Sequence, residues 1–159
     1  MYDRPPASDD AELEELLRDG LGDVAARGGK LAGPSAKLGG RLGARLSAAL
    51  LPVRHHEEAL ELLSLSPEET ARLAEDVLAH LGRPVWARRD LGEHQVRGVI
   101  GSGALDMNPA VVDVHVRPGG HVVVHAAAKE GLIPQRTARK AVRKVIESLE
   151  LAYRAAPPS

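Results

Sequence analysis

The sequence predicts an α+β domain: an antiparallel four-stranded meander packed on one face by helices, including a long C-terminal helix, with an N-terminal helical extension. Three observations carry that expectation. Two β-branched runs meet at a Pro-Gly-Gly turn between residues 110 and 129, an amphipathic helix follows from Pro134 to about Tyr153, and a capping box opens another helix at Ser66.

In chain order, Ser8 is placed to cap a first helix whose opening acids, Asp9 and Asp10, suit the positive end of a helix dipole. Leu13, Leu16, Leu17, Leu21 and Val24 give it an apolar stripe, which Gly20 and Gly22 weaken. The run from Arg27 to Pro34, with Gly28, Gly29 and Gly33, reads as a flexible joint. From Ser35 to Leu51 a second amphipathic segment carries Leu38, Leu42, Leu46 and Leu50 at intervals of four, with Lys37, Arg41 and Arg45 in a parallel basic stripe. Gly39, Gly40 and Gly43 each cost such a helix about 1 kcal/mol against alanine, so it orders best on contact. Its leucines can pack on the first helix as an αα-hairpin, or lie in a partner's groove or on an anionic membrane surface.

His56 to Leu65 reads as a short helical piece with Leu60 and Leu63 inward. Ser66-Pro67-Glu68-Glu69 is a capping box with proline at the first helical position. Leu73, Val77, Leu78 and Leu81 make that helix's buried face before Gly82 and Pro84 close it. Pro84 to Arg88 and His94 to Ile100 are strands, the second with Val96 and Ile100 on one face and Gln95 and Arg97 on the other.

The hairpin is the most determined element. A three-residue loop, Pro118-Gly119-Gly120, pairs Arg117 with His121, His115 with Val123 and Asp113 with His125. That register gathers Val112, Val114, Val116, Val122, Val124 and Ala126 on one face, and a one-residue slip would scatter them. A two-stranded ribbon does not stand alone, and the stripe Ala138, Ala141, Val142, Val145, Ile146, Leu149 and Tyr153 on the last helix is its natural cover. The chain divides into a charged, glycine-containing helical arm over residues 1–52 and a compact α+β domain over 53–159.

The composition removes whole classes of chemistry. With no cysteine among 159 residues, disulfides, thiolate metal sites, iron–sulfur clusters and cysteine nucleophiles are excluded. Aromatic content of 2% leaves few platforms for stacking bases. Neither a long apolar span nor a signal-peptide pattern is present, so the expected address is cytoplasmic. The net charge of −1 conceals segregation. Residues 1–23 carry eight acids against Arg4 and Arg18, residues 24–56 carry six bases and no acid, and residues 57–76 carry seven acids against Arg72. Blocks of alternating sign either neutralise one another within the fold or meet partners.

No phosphate loop or nucleophile elbow is present: Gly28-Gly29-Lys30 is followed by Leu31, and Gly101-Ser102-Gly103 opens no helix. The leading expectation is therefore a non-enzymatic binding or adaptor module without a cofactor. Lys37, Leu38, Arg41, Leu42, Arg45 and Leu46 would meet a protein partner, a second copy or an anionic membrane. The alternative is a metal- or ligand-binding protein, possibly hydrolytic, using Asp113, His115 and His125, which the hairpin register brings to its polar face. A solvated sheet surface is the plainer account of those three. A weaker alternative is a nucleic-acid accessory protein whose Arg136, Arg139, Lys140 and Arg143 bind phosphate, although a pI near 6.7 argues against a dedicated nucleic-acid binder.

Overall fold

The computed structural model describes residues 7–28, 50–90, 93–102, 108–130 and 135–155. Its elements are α1 (Ala7–Gly28), β1 (Val53–Glu61), α2 (Pro67–Leu81), β2 (Gly82–Asp90), β3 (Glu93–Ser102), β4 (Asn108–Arg117), β5 (His121–Lys129) and α3 (Thr137–Ala155). The strands form one antiparallel sheet in the order β1-β5-β4-β3-β2.

β2 to β5 are the expected meander. The hairpin has the register that its valines select, Arg117 opposite His121, His115 opposite Val123 and Asp113 opposite His125. Val112, Val114, Val116, Val122, Val124 and Ala126 are fully buried. Gly119 and Gly120 both take positive φ, 81° and 77°, which is why the turn after Pro118 needs both glycines. α2 begins with the capping box in place: Ser66 Oγ accepts from the Glu69 amide at 3.2 Å and Glu69 Oε2 from the Ser66 amide at 2.8 Å. α2 lies over β2 and β3, and α3 over β1 and β5. Their apolar stripes, Ala71, Ala74, Val77 and Leu78 with Ala138, Ala141, Val142, Val145 and Leu149, close the main core on the valine face.

Two features differ from expectation. The sheet has five strands, not four, because the segment expected to be helical from His56 is the edge strand β1. Its sequence, V-R-H-H-E-E-A-L-E, has a single β-branched residue, and Leu60 and Leu63 fall by coincidence at helical spacing. Docking decides the matter: Leu60 pairs with Val122 and Glu58 with Val124, so tertiary pairing overrides a weak local preference. The second difference is that helices cover both faces. On the face away from α2 and α3, Leu13 and Leu17 of α1 pack with Val111 and Ala127, flanked by Leu16, Val53 and Val99. These leucines bury against the sheet, which gives the expected αα-hairpin no support from them. The remainder of the segment proposed as an arm, residues 29–49, lies outside the described residues.

Candidate functional site

The α1 face of the sheet holds the polar residues that the hairpin register brings together. Alternation along β3 and β4 puts Arg97 directly opposite Asp113. The guanidinium grips the carboxylate with Nε to Oδ1 at 2.7 Å and Nη2 to Oδ2 at 2.9 Å, the bidentate geometry that makes such pairs strong. Its third donor, Nη1, reaches Glu12 Oε2 on α1 at 2.6 Å. The same Glu12 accepts from Trp86 Nε1 at 3.1 Å, and the Arg97 guanidinium lies 4.8 Å from the centre of the Trp86 ring. Lys129 Nζ adds a second tie to α1, 3.1 Å from Glu14. Arg97 is only 2% exposed and Asp113 5%.

Burial works against both charges, and their partners outweigh it. The Arg97 guanidinium is held above its ordinary pKa by Asp113 and then Glu12. The Asp113 carboxyl is held below the usual carboxylate value by His125 and Arg97. His125 Nδ1 stands 3.9 Å from Asp113 Oδ2, an electrostatic neighbour beyond hydrogen-bonding distance. On its far side His125 stacks on His55 of β1, with ring centroids 5.2 Å apart and a 3.1 Å contact from Nδ1 of His55 to Nε2 of His125. His115, one strand position from this pair, meets Gln95 Nε2 at 3.3 Å. Burial lowers its pKa below the ordinary histidine value, with Asp113 pulling the other way.

Of the residues considered for metal, Asp113 and His125 are thus neighbours, while His115 turns to Gln95. Both Asp113 oxygens already accept from Arg97. Among the described residues no three histidines or acids are grouped so as to hold a metal ion. Next to these residues the face is an open, shallow groove of about 570 Å³ lined in part by Ala59, Glu61, Arg117, His121 and Val123. That is surface rather than an enclosed reaction chamber.

The phosphate candidates lie elsewhere. Arg136, Arg139, Lys140 and Arg143 are exposed at the start of α3 and line a depression of their own. The first turn of that helix contains no acid. Glu130, buried, instead accepts from the Thr137 amide at its start. The residues expected to meet a partner, Lys37, Leu38, Arg41, Leu42, Arg45 and Leu46, lie outside the described residues. Among the described residues, no helix is long and apolar enough to cross a membrane.

Sequence reasoning missed Glu12, Trp86, Arg97 and His55 as members of one cluster. Arg97 and His55 arrive through the β3–β4 and β1–β5 registers, neither set by a tight turn, Trp86 through its pairing with Arg97 across β2 and β3, and Glu12 from a separate helix. No protein-family model matches the chain, and no curated protein is significantly similar to it.

Proposed function

We propose that the protein is a non-enzymatic binding module. In this reading its amphipathic segment over residues 35–51 engages a protein groove, a second copy or an anionic membrane surface. One observation carries the reading. The most strongly coupled ionisable groups, Arg97, Asp113 and Glu12, spend their hydrogen bonds on each other and hold α1 to the sheet. Such a closed network serves architecture: it leaves neither of these carboxylates free to move a proton, nor the Arg97 guanidinium free to meet a substrate.

The test is made on the full chain, comparing wild type with a Leu38→Gln, Leu42→Gln, Leu46→Gln variant. Light scattering after size exclusion reads self-association, and flotation with phosphatidylglycerol-containing vesicles reads membrane binding. Loss of either property in the variant, with unchanged circular dichroism, is the expected result. A wild type and a variant that behave alike in both assays would sink the reading.

A second reading has one observation in its favour, the acid-free quartet Arg136, Arg139, Lys140 and Arg143 at the start of α3. Binding of a generic RNA that weakens steeply with salt, and is lost in an Arg139→Gln, Arg143→Gln variant, is its expected signature. Salt-independent binding would dismiss it.

A further inference from the structure

From Gly131 to Ile146 the chain carries five bases and no acid, and Glu130 and Glu147 bound the run. One of the five turns aside, since Lys144 Nζ donates to Gly101 O at 3.3 Å. The other four, Arg136, Arg139, Lys140 and Arg143, are exposed and line a depression of about 250 Å³. Helical spacing groups them: Arg136, Lys140 and Arg143 recur at four and three residues, and Arg139 stands four before Arg143. The Arg136 carbonyl accepts the Lys140 amide at 2.9 Å, which ties Arg136 to the same turn.

The four side chains make this patch, not the end of the helix. The Thr137 amide is already taken by the Glu130 carboxylate, which is buried. Other exposed or half-exposed arginines find acids: Arg18 reaches Glu14, Arg89 reaches Glu75 and Arg154 reaches Glu150. Among the described residues, none of the quartet is in an ion pair. Four like charges within about 10 Å of helix axis repel one another. An anion set between them removes that cost and accepts charge-assisted hydrogen bonds, and guanidinium forks suit phosphate oxygens.

We infer that Arg136, Arg139, Lys140 and Arg143 bind the polyphosphate group of a small molecule, two or three phosphoryl groups joined in a short chain. The length of the patch selects a compact ligand. Glu147 follows Arg143 by four residues and Glu150 by seven, on the same side of α3 and exposed, so the basic stripe stops where a nucleic-acid backbone would need it to continue. Stacking platforms for bases lie elsewhere: Trp86 is bonded to Glu12 on the α1 face, and Tyr153 to Ser64 toward the far end of α3. The inference rests on the phosphate-binding half of the second reading above and replaces its polymer with a compact ligand. It is independent of the segment over residues 35–51. A soluble polyphosphate compound and the headgroup of a multiply phosphorylated lipid share this chemistry.

The experiment is calorimetric titration of the full chain with inorganic triphosphate, orthophosphate and a generic single-stranded RNA, all at one ionic strength with a chelator present. Triphosphate is expected to fill one site, about tenfold or more tighter than orthophosphate. Arg139→Gln and Arg143→Gln are each expected to weaken it about tenfold. Arg154→Gln removes the same charge from the other end of the same helix and is expected to bind as wild type does. All three positions are exposed, so circular dichroism should not change. Flotation with vesicles containing phosphatidylinositol bisphosphate separates the sources. Flotation that requires Arg139 and Arg143 assigns the site to a headgroup, and triphosphate binding without flotation assigns it to a soluble compound. Triphosphate and orthophosphate bound alike, or Arg154→Gln as damaging as Arg139→Gln, would overturn the inference. RNA bound more tightly than triphosphate at equal phosphate concentration would overturn it too, and would leave the second reading standing. No binding of any of the three anions would remove both.

Discussion

Arg97 and Asp113 face each other across β3 and β4, joined by two parallel hydrogen bonds of 2.7 and 2.9 Å and almost wholly withdrawn from water. Taking one charge from such a pair strands the other in a poorly solvated place, and for buried pairs this costs about 3–5 kcal/mol. Asp113→Ala is expected to fall in or just below that range, because Glu12 still holds one guanidinium nitrogen. Arg97→Met with Asp113→Leu is expected to cost much less than the two single losses added together, since neither charge remains to be stranded. Urea denaturation of wild type, Arg97→Met, Asp113→Leu and the double variant closes the cycle. Strict additivity would show that the two residues do not act as a pair.

Acid should lower the stability of the protein in two stages, set by groups on this same face. His115 has its pKa lowered below the ordinary 6.5 by burial, so the unfolded chain binds the proton first. Its contribution to stability is complete above 6.5 and is lost as pH falls through the lower folded value. Asp113, held below its ordinary 3.8, contributes fully above that value and loses its contribution only as pH falls further. Unfolding free energy measured from about pH 7 to about pH 5 is thus expected to decline in wild type and to decline less in His115→Gln. The steeper loss below 3.8 should shrink in Asp113→Asn. A His115→Gln profile parallel to wild type down to about pH 5 would remove histidine from the first stage.

What the sequence discloses is what short-range chemistry decides. The Pro118-Gly119-Gly120 turn ties β4 to β5 within three residues, so the register and the buried valines are legible, and Ser66 with Glu69 announces α2 in the same way. β1 is not legible, because its partner β5 lies some sixty residues away and its own residues prefer neither state. The α1 face is hidden for a related reason. Asp113 and His125 are adjacent by hairpin register, so their meeting is foreseeable. Arg97, which neutralises Asp113, arrives across a β3–β4 connection too long to set a register, and Glu12 arrives from a separate helix. The hairpin alone shows a carboxylate beside imidazoles, a catalytic-looking pair, and the guanidinium that occupies the carboxylate is added only by the fold.

Gly20 offers a test of how closely α1 sits on the sheet. As a sequence feature it only weakens a helix, and replacing it with alanine in an isolated helix would gain about 1 kcal/mol. In the folded chain a Cβ at this position would stand 2.8 Å from Cβ and 3.2 Å from Cγ of Pro109. The ring of Pro109 is held on β4 and has no rotamer to escape into, so the helix must lift or tilt instead. Gly20→Ala is therefore expected to fall short of the gain that propensity alone gives, and Gly20→Leu to undock α1. Trp86 is the single tryptophan, and its indole N–H is bonded to Glu12 of α1. Undocking returns that ring to solvent, so its emission should shift to the red in Gly20→Leu while the circular dichroism of the sheet persists. A Gly20→Ala protein stabilised by the full helix-propensity increment, with unchanged Trp86 emission, would mean that α1 does not press on Pro109.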